Sequence, residues 1–359
     1  MFHYTLGGNY WFIITITLWT TIDSLLSSLV ANQREWFFPF SAYETLVNKL
    51  QAATNLNVAI KRIPDKIPKI LNAFPPVDVT NEKSIDWNRI PKKLIDVLKP
   101  FQRQGIWYVF TQQIAPLLLT NITNNTHSLT SFGIHRQGRF LLADEMGLGK
   151  TLQALTVAYY YRDQWPLLII CPSSLRFNWS KEIESWLLPL VQPHEINIIM
   201  QGKKEFDKLV NIVSYDLALK MVDKISNKKF KVVIADECHY LKNVQAQRTS
   251  AILPVLKSSP HAIMITGTPA LSRPSELYTQ LSALLEPKCD WLTRMEYIYR
   301  YCDAQDTVHT IVDKGSSNLR ELNFLLSRTI MIRRQKSSVL NELPPKYRSW
   351  LYLGVKKSI

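Results

Sequence analysis

Two short segments carry the residue types that phosphate chemistry needs. Residues 144–151 read Asp-Glu-Met-Gly-Leu-Gly-Lys-Thr, after the apolar run Phe140-Leu-Leu-Ala and before Leu152-Gln-Ala-Leu-Thr-Val-Ala-Tyr-Tyr-Tyr, which has helical character. A strand that ends in a glycine-bearing turn and opens a helix points backbone N–H groups and the positive helix end at an anion. In that setting Asp144, Glu145, Met146, Gly147, Leu148 and Gly149 form the turn. Lys150 adds a point charge for the β- and γ-phosphates, and Thr151 is placed to hold Mg²⁺. The pattern G-x-x-x-x-G-K-[ST] is met imperfectly, because Asp144 stands where the first glycine belongs. A Gly-Lys-Thr turn that binds no nucleotide is the alternative.

The second segment is Phe230-Lys-Val-Val-Ile-Ala-Asp-Glu-Cys-His, a buried-strand pattern that emerges into two adjacent carboxylates. Adjacent residues at a strand end point in opposite directions, so one carboxylate can reach a metal and the other an attacking water. Asp236 is assigned to Mg²⁺ and Glu237 to orienting the hydrolytic water, with His239 as a coupling residue. A strand capped by solvated acids is the bland reading, and the company of the phosphate loop argues against it. A third turn, Thr266-Gly267-Thr268-Pro269, follows the apolar run Ile263-Met-Ile and repeats the strand-then-hydroxyl-turn logic.

These turns need a scaffold of strands with helices between them. Candidate strands are 140–144, 167–171, 196–201, 211–215, 231–236 and 262–266; candidate helices are 152–161, 179–187, 204–209, 218–225 and 246–256. Short apolar strands separated by helices predict an α/β fold, a doubly wound, mostly parallel sheet covered on both faces. Residues 61–100 carry several prolines and charges, which marks a linker with short helical pieces. Ahead of it, Ser41 and Glu44 form a capping-box pattern with Leu46, Val47 and Leu50 on one face of a helix. A stretch rich in Asn and Thr at about 111–136 reads as an insertion before the phosphate loop.

The chain has 359 residues, 46% of them hydrophobic, and a formal net charge of +14. That content excludes a mainly disordered chain, and the charge implies a surface that attracts polyanions, nucleic acid first among them. Four scattered cysteines (Cys171, Cys238, Cys289, Cys302) suggest neither a zinc ribbon nor a disulfide framework, and fit a reducing compartment. The apolar residues 10–31 raise a membrane-spanning reading. Asp23 in mid-run and the absence of Lys or Arg before Arg34 oppose it, and the β-branched Ile13-Ile-Thr-Ile-Thr suits a buried strand.

Taken in order, the motifs resemble the SWI/SNF-like branch of superfamily 2 helicases and DNA translocases. Phe101-Gln-Arg-Gln-Gly looks like the adenine-reading motif, with Gln102 on the base. Asp-Glu-Met-Gly-Leu-Gly-Lys-Thr is usual for motif I of that branch, so the Asp144 departure is expected there. Cys171-Pro-Ser-Ser-Leu-Arg-Phe-Asn-Trp looks like motif Ia and Ile212-Val-Ser-Tyr-Asp like motif Ib, which lie along the tracked strand. The resemblance thus marks Ser173, Ser174, Arg176 and Tyr215 as DNA contacts, with Trp179 either a further contact or a core residue. Asp236-Glu-Cys-His resembles the DExH box and Thr266-Gly-Thr-Pro motif III. The segment Ile332-Arg-Arg-Gln-Lys resembles the stretch leading towards a second lobe, although its basic residues could equally be a solvated helix face.

On Trp165-Pro-Leu-Leu-Ile, Pro172-Ser-Ser-Leu-Arg-Phe, Leu271-Ser-Arg-Pro-Ser-Glu-Leu-Tyr-Thr-Gln, Arg300-Tyr-Cys-Asp-Ala and Gly315-Ser-Ser-Asn-Leu-Arg-Glu-Leu, with residues 36–50 similar to the end of a HARP module, the likeness within that branch is greatest to the annealing-helicase, HARP-domain group, the SWI/SNF-related actin-dependent regulators of chromatin subfamily A-like. It implies a RecA-like first helicase lobe at 98–330, a remnant HARP-like α+β module at 1–60, a Pro-rich linker at 61–97, and the start of a connection at 331–359. It also implies an ATPase that uses ATP and Mg²⁺ to move on branched or forked DNA in replication-fork repair in the nucleus. Single-strand-binding or chromatin proteins are its expected partners, with no membrane role. No second strand–helix series follows Pro345, so the resemblance further implies that the second lobe's arginine fingers are absent. Such a finger is worth on the order of 10³–10⁵ in rate, and weak hydrolysis by this chain alone is expected. A non-catalytic DNA- or protein-binding module that keeps the lobe's fold is the competing class, and a metabolic P-loop enzyme a third.

Overall fold

The computed structural model describes residues 2–7, 11–16, 31–32, 35–39, 43–52, 60–61, 63–73, 86–111, 138–267, 273–285, 291–307 and 310–339. The chain opens with strands β1 (Phe2–Gly7), β2 (Trp11–Ile16), β3 (Ala31–Asn32) and β4 (Glu35–Pro39), helix α1 (Tyr43–Ala52), strand β5 (Ile60–Lys61) and helices α2 (Lys66–Ala73), α3 (Lys92–Val97) and α4 (Pro100–Thr111). Then come β6 (Phe140–Leu142), α5 (Lys150–Tyr160), β7 (Leu167–Cys171), α6 (Arg176–Leu187), β8 (Ile196–Ile198) and β9 (Val210–Ser214). They are followed by α7 (Tyr215–Lys220), α8 (Val222–Lys228), β10 (Val232–Ala235), α9 (Gln247–Ser258), β11 (His261–Ile265), α10 (Pro274–Leu284) and α11 (Arg294–Tyr301). The last elements are the small hairpin β12 (Gln305–Asp306) and β13 (Ile311–Val312), α12 (Leu319–Thr329), β14 (Met331–Ile332) and α13 (Lys336–Val339).

Seven strands form one sheet in the order β14-β6-β11-β10-β7-β9-β8, and every neighbouring pair in it is parallel. The reason lies in the strand sequences. Leu167-Leu-Ile-Ile-Cys and Val232-Val-Ile-Ala are apolar at every position and fully buried, which suits a sheet covered on both faces. The period-2 alternation of a strand then sorts neighbours to opposite faces. Leu168, Ile170, Val233, Ala235 and Met264 join one core cluster; Leu167, Ile169, Val232, Ile234 and Ile263 join the other. Helices α4, α5 and α6 cover the second face with Ile106, Leu155, Val157, Trp179 and Ile183. Helices α9, α10, α11 and α12 cover the first with Ile252, Leu281, Tyr297 and Leu325. The α/β expectation of a parallel sheet covered on both faces is met. Its open edge, outside the carboxyl ends of the strands, is where ligands bind in such sheets.

A second sheet of order β3-β4-β2-β1-β5 precedes it. Ile13–Ile16 lies in β2, between β1 and β4 with antiparallel partners, so this part of the apolar run is strand. Among the described residues no helix is long and apolar enough to cross a membrane. Val47, Ile67 and Ile70 of α1 and α2 sink into the core on the α12 side, and Lys66 pairs with Glu296 at 3.0 Å. Ser41 and the insertion at about 111–136 fall, apart from residue 111, outside the described residues.

Three local expectations need correction. Residues 204–209 are not helical: the carbonyls of Glu205 and Lys208 accept side-chain hydrogen bonds from Asn197 (2.7 Å) and Asn211 (2.7 Å), which replace a helical ladder. The single helix expected at 218–225 is two, α7 and α8, broken at Met221 (φ −116°, ψ 20°), and it starts earlier because Ser214 caps the N–H of Leu217. The strand expected at 196–201 ends at Ile198.

Candidate functional site: a phosphate loop facing an acidic strand end

The loop after β6 is shaped by two glycines. Gly147 (φ 83°) and Gly149 (φ 71°) sit in the left-handed region, and α5 starts at Lys150 directly after them. At Gly149 space is also short: a Cβ there would lie 2.4 Å from Gln102 Nε2. That amide donates to the carbonyl of Leu148 (3.0 Å), and Gln102 Oε1 accepts from the N–H of Lys99 (2.9 Å). Gln102 therefore ties α4 to the loop through its amide nitrogen, while its oxygen closes the first turn of α4. Lys150 Nζ donates to the carbonyls of Asp144 (2.9 Å) and Glu145 (3.3 Å), so the ammonium lies within the curve of the loop. Leu148 is buried as a plug, Glu145, Met146 and Gly147 are exposed, and Thr151 is half-buried at the first turn of α5.

Grouping Asp144 with the nucleotide-binding residues needs correction at the side chain. It is 0% exposed, and its carboxylate accepts from Arg334 N (2.9 Å), Nε (3.0 Å) and Nη2 (2.5 Å) and from Gln153 Nε2 (3.2 Å). Only its carbonyl, bonded to Lys150, serves the loop's interior.

Facing this loop is the end of β10. The N–H of Asp236 donates to the Ile170 carbonyl (2.8 Å) and extends the ladder one residue past the strand. Its Oδ2 accepts from Trp179 Nε1 (2.8 Å) and its Oδ1 from the N–H of Glu237 (2.9 Å). Glu237 lies past the end of β10 and adopts a left-handed backbone (φ 49°), so strand alternation does not set its direction. Glu237 Oε2 lies 3.2 Å from His239 Nδ1. Burial pushes the Asp236 pKa above its ordinary 3.8, against the lowering hydrogen bond from Trp179, and Glu237's charge adds to the rise. Burial pulls Lys150 below its ordinary 10.5, while Glu237, Asp144 and Asp236 act the other way. An ammonium and two carboxylates from separate strand ends thus share one field.

The third turn closes the group. Thr266 is buried, and its N–H donates to the Leu142 carbonyl (3.1 Å) where the phosphate loop departs. A Cβ on Gly267 would meet Met146 Cγ at 2.9 Å and Lys150 Nζ at 3.6 Å, so this backbone lies against the loop. Thr268 is outside the described residues.

The residues expected along a nucleic-acid strand divide. Ser173 and Ser174 are exposed on the turn after β7, beside Phe177, which is 52% exposed. Arg176 is half-buried and donates to the carbonyls of Ser173 (3.2 Å) and Ile199 (2.7 Å). Tyr215 is corrected from a surface contact to an interior post: it is buried, its hydroxyl donates to the Asp236 carbonyl (2.8 Å), and its ring stacks under Tyr240. Trp179 takes the core alternative, 2% exposed, yet its indole N–H serves Asp236. Arg334, Gln153 and Gly105 were missed. The irregular Asp144 was the available signal, since a carboxylate at the root of a phosphate loop needs a cation beside it.

A family model, the SNF2-related domain, matches residues 92–358. The SWI/SNF-related matrix-associated actin-dependent regulator of chromatin subfamily A-like protein 1 of Xenopus laevis is 39% identical over 330 residues, covering 89% of this chain and 31% of its own length. The human DNA annealing helicase and endonuclease ZRANB3 is 41% identical over 282 residues, covering 75% of this chain and 23% of its own. The chain therefore spans about a third or less of the length of these two curated relatives. In fold, the Sulfolobus solfataricus SWI2/SNF2 ATPase core domain aligns with 75% of the chain and 49% of its own at a TM-score of 0.52 and 20% identity. With the seven-stranded parallel sheet and the loop it presents, the family match over residues 92–358 means that this chain belongs to the SNF2-related family.

Proposed function

We propose that the chain supplies the ATP-binding lobe of a DNA translocase of the annealing-helicase type, acting on branched or forked DNA in replication-fork repair in the nucleus. The observation that carries this reading is the convergence of Lys150 with Asp236 and Glu237 at the carboxyl edge of one parallel sheet. Lys150 receives the β- and γ-phosphates in place of the two loop carbonyls it now holds, and the amides of residues 147–151 supply the remaining donors.

The donor set suits Mg²⁺. Asp236 keeps a lone pair on each oxygen beyond its bonds to Trp179 and Glu237, and Thr151 offers a hydroxyl. Among the described residues there is no cluster of three acidic, His or Cys side chains, which fits an ion held mostly by water and substrate phosphates. When bound, Mg²⁺ would neutralise charge developing on the phosphoryl oxygens. Glu237 orients the attacking water, and its approach to His239 links that residue to the turn that follows. In this reading residues 1–60 form the remnant HARP-like module, 61–97 the linker, 98–330 the lobe and 331–359 the connection, with Met331–Ile332 lying as an edge strand of the lobe's sheet.

Lys150→Ala is the direct test. Binding of a fluorescent ATP analogue with Mg²⁺ is expected to weaken at least about tenfold, since a charge-assisted contact is worth roughly 1.5–3 kcal/mol. Unchanged affinity would mean that the loop is not used and would favour the non-catalytic module.

A further inference from the structure

Arg334 joins three pieces of chain that are far apart in sequence. Its Nε and Nη2 take both oxygens of Asp144 at the root of the phosphate loop, and its Nη2 also donates to Gln153 Oε1 on α5 (2.7 Å). Its Nη1 donates to the Phe101 carbonyl on α4, and its guanidinium lies 5.0 Å from the centre of the Phe101 ring. The backbone continues the grip: the N–H of Glu145 donates to the Arg334 carbonyl (3.0 Å) and the N–H of Lys336 to Glu145 Oε2 (2.7 Å). Lys336 Cε and Nζ lie 3.4 Å from where a Gly147 Cβ would stand. The phosphate loop is thus zipped on one flank to the residues that follow β14.

Room for the guanidinium is made by a missing side chain. A Cβ on Gly105 would lie 2.8 Å from Arg334 Nη2, 3.0 Å from Nη1 and 3.1 Å from Gln153 Oε1. Gly105 sits inside α4 with no positive φ to demand glycine, so the close approach is its reason. The Asp144 carboxylate is fully buried, and a buried charge does not part from its partner cheaply. Loop, α4 and the 333–336 segment therefore move together or not at all.

We propose that Arg334 is a positioning residue for the nucleotide site: it locks the phosphate loop to α4, so that the loop's ATP-ready shape depends on where the segment after β14 lies. This rests on the reading of residues 144–151 as an ATP site. By reciprocity, a nucleotide in the loop holds the segment in place as firmly as the segment holds the loop. The aspartate at the first loop position, odd for a phosphate cradle, is then the receptor for that segment.

Gly105→Ala tests this on the full chain, because it pushes on the guanidinium without removing any charge and by itself favours the helix. The probe is a fluorescent ATP analogue with Mg²⁺, and the second readout is backbone hydrogen exchange over residues 331–336. The expected result is a chain that still folds, with an unfolding transition below that of the parent, and an affinity lower by about tenfold in the folded variant. The parent's nucleotide-dependent slowing of exchange at 331–336 should be lost. Arg334→Lys, which keeps the charge but not the fork, should fall the same way, and it decides the matter if Gly105→Ala does not fold. Parent-like affinity and exchange in the folded variant overturn the proposal while leaving the ATP site standing. A parent chain that fails to bind the probe removes both.

Discussion

Asp236 holds a charge that its surroundings resist. Its pKa is raised by burial, so between the ordinary 3.8 and that raised value the folded chain binds more protons than the unfolded one. Its contribution to stability therefore falls as pH rises through that interval, the reverse of a carboxylate in an ion pair. Lys150, lowered by burial, gives the matching case above: the unfolded chain binds more protons between the lowered value and 10.5, and stability rises with pH there. Both strains are relieved by a ligand that carries a cation to Asp236 and phosphate to Lys150. Binding of Mg²⁺ with an ATP analogue should thus release protons on the acid side and tighten as pH rises through the Asp236 titration. Calorimetry in two buffers of different ionisation heat measures this directly, and Asp236→Asn should remove the acid-side part of the buffer dependence. Trp179→Phe removes the donor that opposes burial, so the acid limb should move to higher pH and affinity at fixed pH should fall by about tenfold. An unmoved acid limb in Trp179→Phe would show that the indole N–H does not tune the carboxylate.

At the scale of elements, what could be read from the sequence was what is local. Continuous apolar runs such as Leu167–Cys171 and Val232–Ala235 name buried strands by themselves, and Lys150 and Asp236-Glu237 name their strand ends. The two-residue strand β14 has no such pattern; Met331 and Ile332 are a strand because Leu141 and Leu142 of β6 offer them a ladder. Trp179, Gln153 and Arg334 were not legible as site residues for the same reason, since each is chosen by a tertiary partner far along the chain. Arg139 shows the principle most fully. It is buried before β6, and its guanidinium donates to the carbonyls of Leu256 (3.1 Å), Ala283 (2.6 Å), Leu284 (3.1 Å) and Ser259 at the carboxyl ends of α9 and α10. A cation there suits two helix dipoles at once and satisfies carbonyls that helix ends leave open. Arg139→Ala should cost about 3 kcal/mol or more in denaturant unfolding, because several buried acceptors lose their donor together. A cost below about 1 kcal/mol would mean that water replaces the guanidinium.

For the whole molecule the governing quantity is charge: 43 Lys and Arg against 29 Asp and Glu. Such a surplus favours a polyanion at any sequence, with an affinity that salt erodes by counterion release. The part of the surface where a strand would lie follows from the site. The turn after β7 stands at the same carboxyl edge as the phosphate loop, and Ser173 and Ser174 are exposed there beside Phe177. Small hydroxyl side chains with an aromatic neighbour suit phosphate contacts and base stacking. Arg176 is spoken for by the carbonyls of Ser173 and Ile199, so it shapes the turn more than it reaches outwards. Gel shifts with forked DNA at two salt concentrations separate these contributions. The logarithm of affinity should fall with the logarithm of salt by about 0.9 for each phosphate neutralised, so a loss of more than about tenfold between 50 and 200 mM salt requires at least about two such contacts. The double variant Ser173→Glu, Ser174→Glu leaves a surface turn free to fold and places two negative charges where the strand would pass. It should weaken DNA binding by about tenfold at low salt, less at high salt, and leave the nucleotide analogue's affinity in the absence of DNA unchanged. Equal DNA affinity in the double variant would move the strand off this edge, and salt-independent binding would remove the polyanion reading altogether.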